Sequence, residues 1–193
     1  METAVVLLVA YLIGSVDFGV IVPRVMGVDI YAEGSGNPGT SNVMRTLGKK
    51  AAAVVLFGDL LKGLAAAALG ATVLGGAGGF AAGFAAVAGH VFPVWHRFRG
   101  GKGVATAVGA ALWLAPWFGL VLGIGWALIV VATKRASIAS ILAMMLYVPG
   151  FALAGYRGSS LLWAGATAVL VLARHADNMR RLLGGAERTV VES

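Results

Sequence analysis

Residues 103–133 read GVATAVGAALWLAPWFGLVLGIGWALIVVAT, an apolar stretch without a single charged side chain. About 31 residues of helix extend roughly 46 Å. That is more than one crossing of a hydrocarbon core of about 30 Å, but fewer than the roughly 40 residues that two full crossings use. Lys102 and Lys134 bracket the stretch. A hairpin turning near Pro116 brings both basic ends to one side of a membrane. Its two short helices then thin the bilayer locally or sit within protein.

Working outward, residues 4–22 form an apolar run interrupted by Asp17. A Gly-, Asn- and Ser-rich stretch occupies 23–50, and a second run at 51–74 holds Asp59 and Lys62. Residues 75–79 read as an uncharged turn and 80–95 as a third run, followed by Arg97, Arg99 and Lys102. Beyond Lys134 and Arg135 lie runs at 138–154 and 160–173, a turn between them, and a basic tail from Arg174. The runs are continuous rather than alternating, which favours helices over a barrel. The expected architecture is an all-α bundle of about seven transmembrane helices forming one domain over 1–193. A five-span arrangement, with the weakest hairpin dipping in without crossing, is the alternative. With the N-terminus outside, Arg157 is the one basic residue placed there and the C-terminus is cytoplasmic. The positive-inside rule favours that orientation.

Composition agrees. The chain is 59% hydrophobic and 12% charged, with a mean hydropathy of +0.88. Soluble domains carry about 25% charged residues, so lipid is the solvent for most of this chain. The absence of cysteine excludes thiol nucleophiles and thiolate metal sites. The net charge of +7 fits anionic lipid, an anionic substrate or the charge bias of membrane loops. The start lacks a basic n-region, which argues against a cleaved signal peptide.

Three polar clusters fall on the basic side. In residues 34–45, GSGNPGTSNVMR, glycines free the backbone amides. Ser35, Asn37, Thr40, Ser41 and Asn42 offer hydrogen bonds, and Arg45 adds fixed charge. Such a loop holds a phosphate or is a solvated helix start capped at Ser41 or Asn42. The second cluster joins GHVFP at 89–93 to FRGGKGVAT at 98–106. Gly100, Gly101 and Gly103 around Lys102 resemble a phosphate loop in physics. The sequence is not a Walker A, which disfavours nucleotides. His90 and His96 read as packing or hydrogen-bonding residues. In the third cluster, on a helix continuing the last span, His175 and Asn178 share a face with Arg181. There a histidine accepts a proton, holds a hydroxyl or is structural. Glu187 reads as the neutraliser of a neighbouring arginine. Inside the second run, Asp59 and Lys62 read as a mutual ion pair, or Asp59 as paired to a basic loop.

Together these three clusters resemble the motifs of the bacterial membrane acyltransferases that acylate glycerol 3-phosphate from acyl phosphate. Gly14-Ser15 and the DLLKG at 59–63 extend the resemblance nearly end to end. Asp17 departs from it, standing where that family's pattern has proline; Thr40-Ser41 departs too, where Ala-Thr is commoner. The resemblance implies transfer of a fatty acyl group to the 1-hydroxyl, giving lysophosphatidic acid and phosphate, the first acylation step of phospholipid synthesis. It implies catalytic roles for His175, Asn178, Lys102, Arg45 and Ser35. Substrate-binding roles fall to Asn37, Thr40, Asn42, Gly100, Gly101, Gly103 and Arg181, with the three glycine backbones holding the donor's phosphate. The implied partners are acyl phosphate, glycerol 3-phosphate and membrane lipid, with no nucleic acid. The implied location is the bacterial cytoplasmic (inner) membrane, with the active site facing the cytoplasm. No cofactor and no metal are expected, since no carboxylate cluster accompanies the phosphate-binding residues. The proton acceptor is either His175 or a substrate phosphate. The rivals are a transporter of phosphate-bearing solutes, which needs polar groups near the midplane, and a lipid-binding scaffold.

Overall fold

The computed structural model describes residues 1–190, and the described residues form helices and connecting loops without strands. The chain runs through α1 (Glu2–Ser15), α2 (Phe18–Val25), α3 (Thr40–Leu74), α4 (Gly76–Val91), α5 (Val104–Leu114), α6 (Pro116–Thr133), α7 (Ala136–Leu153), α8 (Ser159–Ala173) and α9 (Ala176–Leu183). Among the described residues, five stretches are long and apolar enough to cross a membrane: Glu2–Val25, Thr40–Leu74, Gly76–His96, α6 and α7. The apolar helices α5 and α8 are shorter.

The 103–133 stretch breaks at Ala115, where the backbone leaves the helical region ahead of Pro116. Proline suits the first position of a helix because its missing N–H would have had no partner there. The two limbs fold back on each other. Gly119 packs on the Leu112 backbone and Gly123 faces Val108, so α5 and α6 form a hairpin. Only 11% of α6 is buried, which makes it an outer, lipid-facing helix, whereas α5 lies inside.

The first run is also broken. Val16 and Asp17 are extended, and the Asp17 carboxylate accepts the Gly19 amide at 3.0 Å, capping α2. The capping carboxylate lets the helix restart directly after the break. Two expectations need correction. Only Gly75 forms the turn expected over 75–79, because α4 begins at Gly76 and Gly78 packs against Gly70 and Leu74. The third cluster does not continue the last span either. The helix stops at Ala173 and α9 starts afresh, with His175 in its cap position.

Close packing rests on small residues, as expected where lipid rather than water is the competing environment. A Cβ on Gly63 would strike the Thr106 backbone and one on Gly109 the Leu60 backbone, which draws α3 against α5. At the end of the bundle away from Lys102, Phe80, Phe118, Tyr147, Phe151 and Tyr156 pack mainly edge to face, with centroids 4.7–5.7 Å apart, and Phe118 and Tyr147 are tilted at 6.4 Å. At the opposite end meet the starts of α3, α5 and α7 and the ends of α4, α6 and α8.

Candidate active site

A cavity of about 250 Å³ lies at that second end. Ser35, Asn37, Thr40, Asn42 and Arg45 line it from the first cluster, Lys102 and Gly103 from the second, and His175, Asn178 and Arg181 from the third. Three stretches distant in sequence therefore share one chamber. Its deeper wall is apolar, formed by Leu60, Val108, Trp126 and Ala127. Beside it, a hollow of about 430 Å³ shares Ser35, Asn37, Lys102, Asn178, Arg181 and Arg188, and adds Arg99 and Arg174.

The first cluster is held by Asn42. Its Oδ1 accepts from the Ser35 amide at 2.9 Å and from Arg45 Nη2 at 3.1 Å, while Nδ2 donates to the Glu33 carbonyl at 2.9 Å. Both acceptor positions of the amide are thus used within the loop, so Asn42 places Ser35 and Arg45 where a direct substrate contact had been expected. The helix starts at Thr40 with Gly39, not Ser41 or Asn42, in the cap position. Arg45 also donates to the Thr189 carbonyl at 3.2 Å, which ties the C-terminal stretch to the chamber.

In the second cluster the glycines act differently from the expectation. The Gly100 and Gly101 amides donate to the carbonyls of Val91 and His90, at 3.2 and 3.1 Å. They are spent on folding the loop and do not face an anion. Their value is space, since a Cβ on Gly100 would meet the His90 carbonyl and one on Gly101 the His90 ring. Gly103, at φ +89°, turns the chain into α5 in a left-handed conformation that glycine adopts without strain. Val104 and Ala105, in the first turn of α5, border the cavity, so the helix end that favours an anion adjoins it.

The third cluster is a chain of polar contacts. Lys102 Nζ donates to Asn178 Oδ1 over a very short contact. Asn178 Nδ2 donates to Glu187 at 2.6 Å, and Glu187 pairs with Arg181 at 2.9 Å. Glu187 thus neutralises an arginine as expected and also orients Asn178. Burial raises the Glu187 carboxyl, but bonds from Asn178 and Arg181 outweigh this and leave it below its usual value. Burial, followed by the neighbouring arginines against the opposing pull of Glu187, lowers Lys102 to about 8. His175 Nδ1 donates to the Val171 carbonyl at 2.8 Å, which leaves the Nε2 lone pair unprotonated. Burial and then Lys102 push its pKa down to about 4.

Beneath the cavity, Asp59 and Lys62 form the expected ion pair at 2.8 Å, and Lys62 also bonds the Val16 carbonyl at 2.7 Å and His90 Nδ1 at 2.8 Å. Asp17, Asp59 and His90 present ligand-capable atoms within 4.8 Å of one another. The Lys62 ammonium already stands among them, so the charge a metal ion would bring is supplied by a side chain. His90, expected as a packing or hydrogen-bonding residue, is one, buried and bonded to Lys62. Its place on the cavity wall was not read from the sequence, where it is a histidine at the end of one apolar run with an Asp–Lys pair inside another.

The sequence matches the family model described as glycerol-3-phosphate acyltransferase over residues 4–185. A glycerol-3-phosphate acyltransferase of Rubrobacter xylanophilus is 42% identical over 191 residues, covering 97% of this chain and 95% of that protein. One from Sinorhizobium fredii is 42% identical over 191 residues, covering 98% and 93%. Among solved structures, PlsY (YgiH), an integral membrane glycerol 3-phosphate acyltransferase, superposes in its glycerol 3-phosphate form with a TM-score of 0.93 at 37% identity, covering 98% of this chain and 96% of PlsY. Its lysophosphatidic acid form superposes with a TM-score of 0.91.

Proposed function

This chain belongs to the glycerol-3-phosphate acyltransferase family, and from that premise we propose that it transfers a fatty acyl group from acyl phosphate to the 1-hydroxyl of glycerol 3-phosphate. It is an acyltransferase, and its product is lysophosphatidic acid. The observation that carries the finer reading is the shared chamber, where Lys102, Arg45, His175 and Asn178 border one cavity with an apolar extension. Two phosphates and a hydrocarbon chain need that combination. In this reading the chain crosses the cytoplasmic (inner) membrane seven times, with α1–α2 acting as one span and the α5–α6 hairpin crossing as two. The N-terminus is outside, and the chamber faces the cytoplasm where the basic loops lie.

The hydroxyl oxygen attacks the acyl carbonyl, the bond from that carbon to the phosphate oxygen breaks, and inorganic phosphate leaves. An acyl phosphate is a mixed anhydride with a good leaving group, so no covalent enzyme intermediate is needed. Catalysis then rests on alignment and on cations facing the developing charge. Lys102 and the first amides of α5 hold the donor phosphate. Arg45, placed by Asn42, and Arg181 take the phosphate of the acceptor, with Ser35, Asn37 and Thr40 bonding its oxygens. His175 presents an acceptor atom to the attacking hydroxyl. With its pKa lowered to about 4, it is a weaker base than a phosphate whose second ionisation lies near 6. The proton therefore goes to a substrate phosphate, and His175 aligns the hydroxyl. The acyl chain lies along Leu60, Val108 and Trp126, reached from the bilayer between helices.

The test is purified protein in detergent with acyl phosphate and glycerol 3-phosphate. Lysophosphatidic acid and phosphate are expected in equal amounts, and folded protein that forms neither would overturn the reading. For the base, His175→Gln is expected to lower kcat while keeping the acid limb of the pH–rate profile near 6. Loss of that limb would return the proton to His175.

A further inference from the structure

His90 lies in the last turn of α4, 3% exposed, and borders the substrate cavity. Its ring packs on Gly101, directly before Lys102. An ammonium has donors and no acceptor, so the contact from Lys62 Nζ to His90 Nδ1 makes Nδ1 the acceptor and places the ring proton on Nε2. Lys62 is itself fixed on three sides, by Asp59, the Val16 carbonyl and His90. Asp59 approaches the same His90 nitrogen at 3.5 Å. Among the described residues, His90 Nε2 forms no hydrogen bond. A pre-oriented N–H on a buried side chain therefore stands without a hydrogen-bond partner beside the loop that lost its Gly100 and Gly101 amides to folding.

We infer that His90 is a substrate-binding residue whose Nε2–H donates to the phosphate seated at Lys102 and the start of α5, with the Asp59–Lys62 pair as the positioning device that fixes this tautomer. The inference rests on the proposed use of acyl phosphate and deepens it. The donor phosphate loses two amides and gains one imidazole N–H. The pair buried in the membrane acquires a purpose, since an ion pair beneath a neutral ring holds that ring in one protonation pattern, as second-layer carboxylates hold metal-bound histidines. The cost of burying the pair is the reason such a device is kept only where orientation matters.

The experiment compares His90→Phe with His90→Gln, whose amide nitrogen reaches the place of Nε2. With hexadecanoyl phosphate as donor, His90→Phe is expected to lower kcat/KM for the donor by roughly 10- to 100-fold, the range for a bond to a charged acceptor. The KM for glycerol 3-phosphate should stay within about 3-fold, as the contact is to the other phosphate. His90→Gln should recover most of the loss. Equal losses for both substrates, with Gln no better than Phe, would make His90 structural and overturn the proposal. A second measurement needs no variant. The chain has three histidines, so ¹⁵N spectra of the labelled wild-type protein resolve each ring. His90 is expected as the Nε2–H tautomer, its N–H signal moving on addition of inorganic phosphate; an Nδ1–H tautomer or an unmoved signal would overturn the proposal. If that signal moves while the protein makes no product from acyl phosphate, the His90 site stands and the donor assignment falls.

Discussion

The two ends of the bundle solve opposite problems. At one end five aromatic rings close on each other, with Phe151 fully buried among Phe80, Phe118, Tyr147 and Tyr156. The hydroxyls of Tyr147 and Tyr156 are used up on the carbonyls of Ala107 and Leu114. At the other end glycine, lysine, asparagine and histidine surround open volume. The difference teaches that one bundle separates stability from chemistry by length along the helices. The aromatic end fixes where α4, α5, α6 and α7 lie. The polar end uses those fixed positions to bring three loops around one cavity.

That division predicts graded outcomes. The largest belongs to Lys102→Met, expected to lower kcat/KM on the order of 10³-fold, the scale of removing a charge-stabilising donor, with the unfolding temperature unchanged. A parallel fall in unfolding temperature would blur the two ends. Phe151→Ala reverses the pattern. It is expected to cost about 3 kcal/mol of stability through the cavity it leaves, read by thermal unfolding in detergent, with KM of the folded fraction unaltered. Next comes pH. Lys102, lowered to about 8, is an ammonium below that value and loses its charge above it. kcat/KM should therefore fall on the alkaline side from about pH 8, and Lys102→Arg should move that limb upward even at a reduced rate, because a guanidinium does not deprotonate in this range. An alkaline limb identical in Lys102→Arg would assign it to another group. Asn42→Ala should cost roughly tenfold in kcat/KM, since it releases Ser35 and Arg45 without removing them. The smallest effect is set by Arg157→Ala, at the far end, where activity is expected within about twofold of wild type.

Much of this division was legible in the sequence. The run at 103–133 showed its hairpin through length and Pro116. The basic residues sorted to one side, and the three clusters carried the residue types that hold phosphates. What sequence did not yield depends on contacts between distant residues. Nothing near Gly100 announces that its amide and that of Gly101 turn back to Val91 and His90. Those residues had already ended a helix with free carbonyls, and the loop satisfied them first. Asn42 reads like a ligand until the Glu33–Ser35 turn is seen to consume its amide. His90 gains its role from Lys62 on another helix. Asp17 interrupts an apolar run with no partner near it in sequence, because the cap it forms is a bond to a backbone amide. The four glycines within 75–79 suggested a turn, yet the close approach of α4 to α3 favours helix there.

The most direct test of the central claim, that three distant segments converge on one face of the membrane, is labelling by an impermeant thiol reagent. The chain contains no cysteine, so single cysteines at Lys50, Arg97 and Arg180, all exposed, report the three segments, and one at Arg157 reports the far end. The account predicts that the first three react in inside-out membranes and not in intact cells, with Arg157 reacting in intact cells. Any one of the three reacting from the side of Arg157 would contradict it.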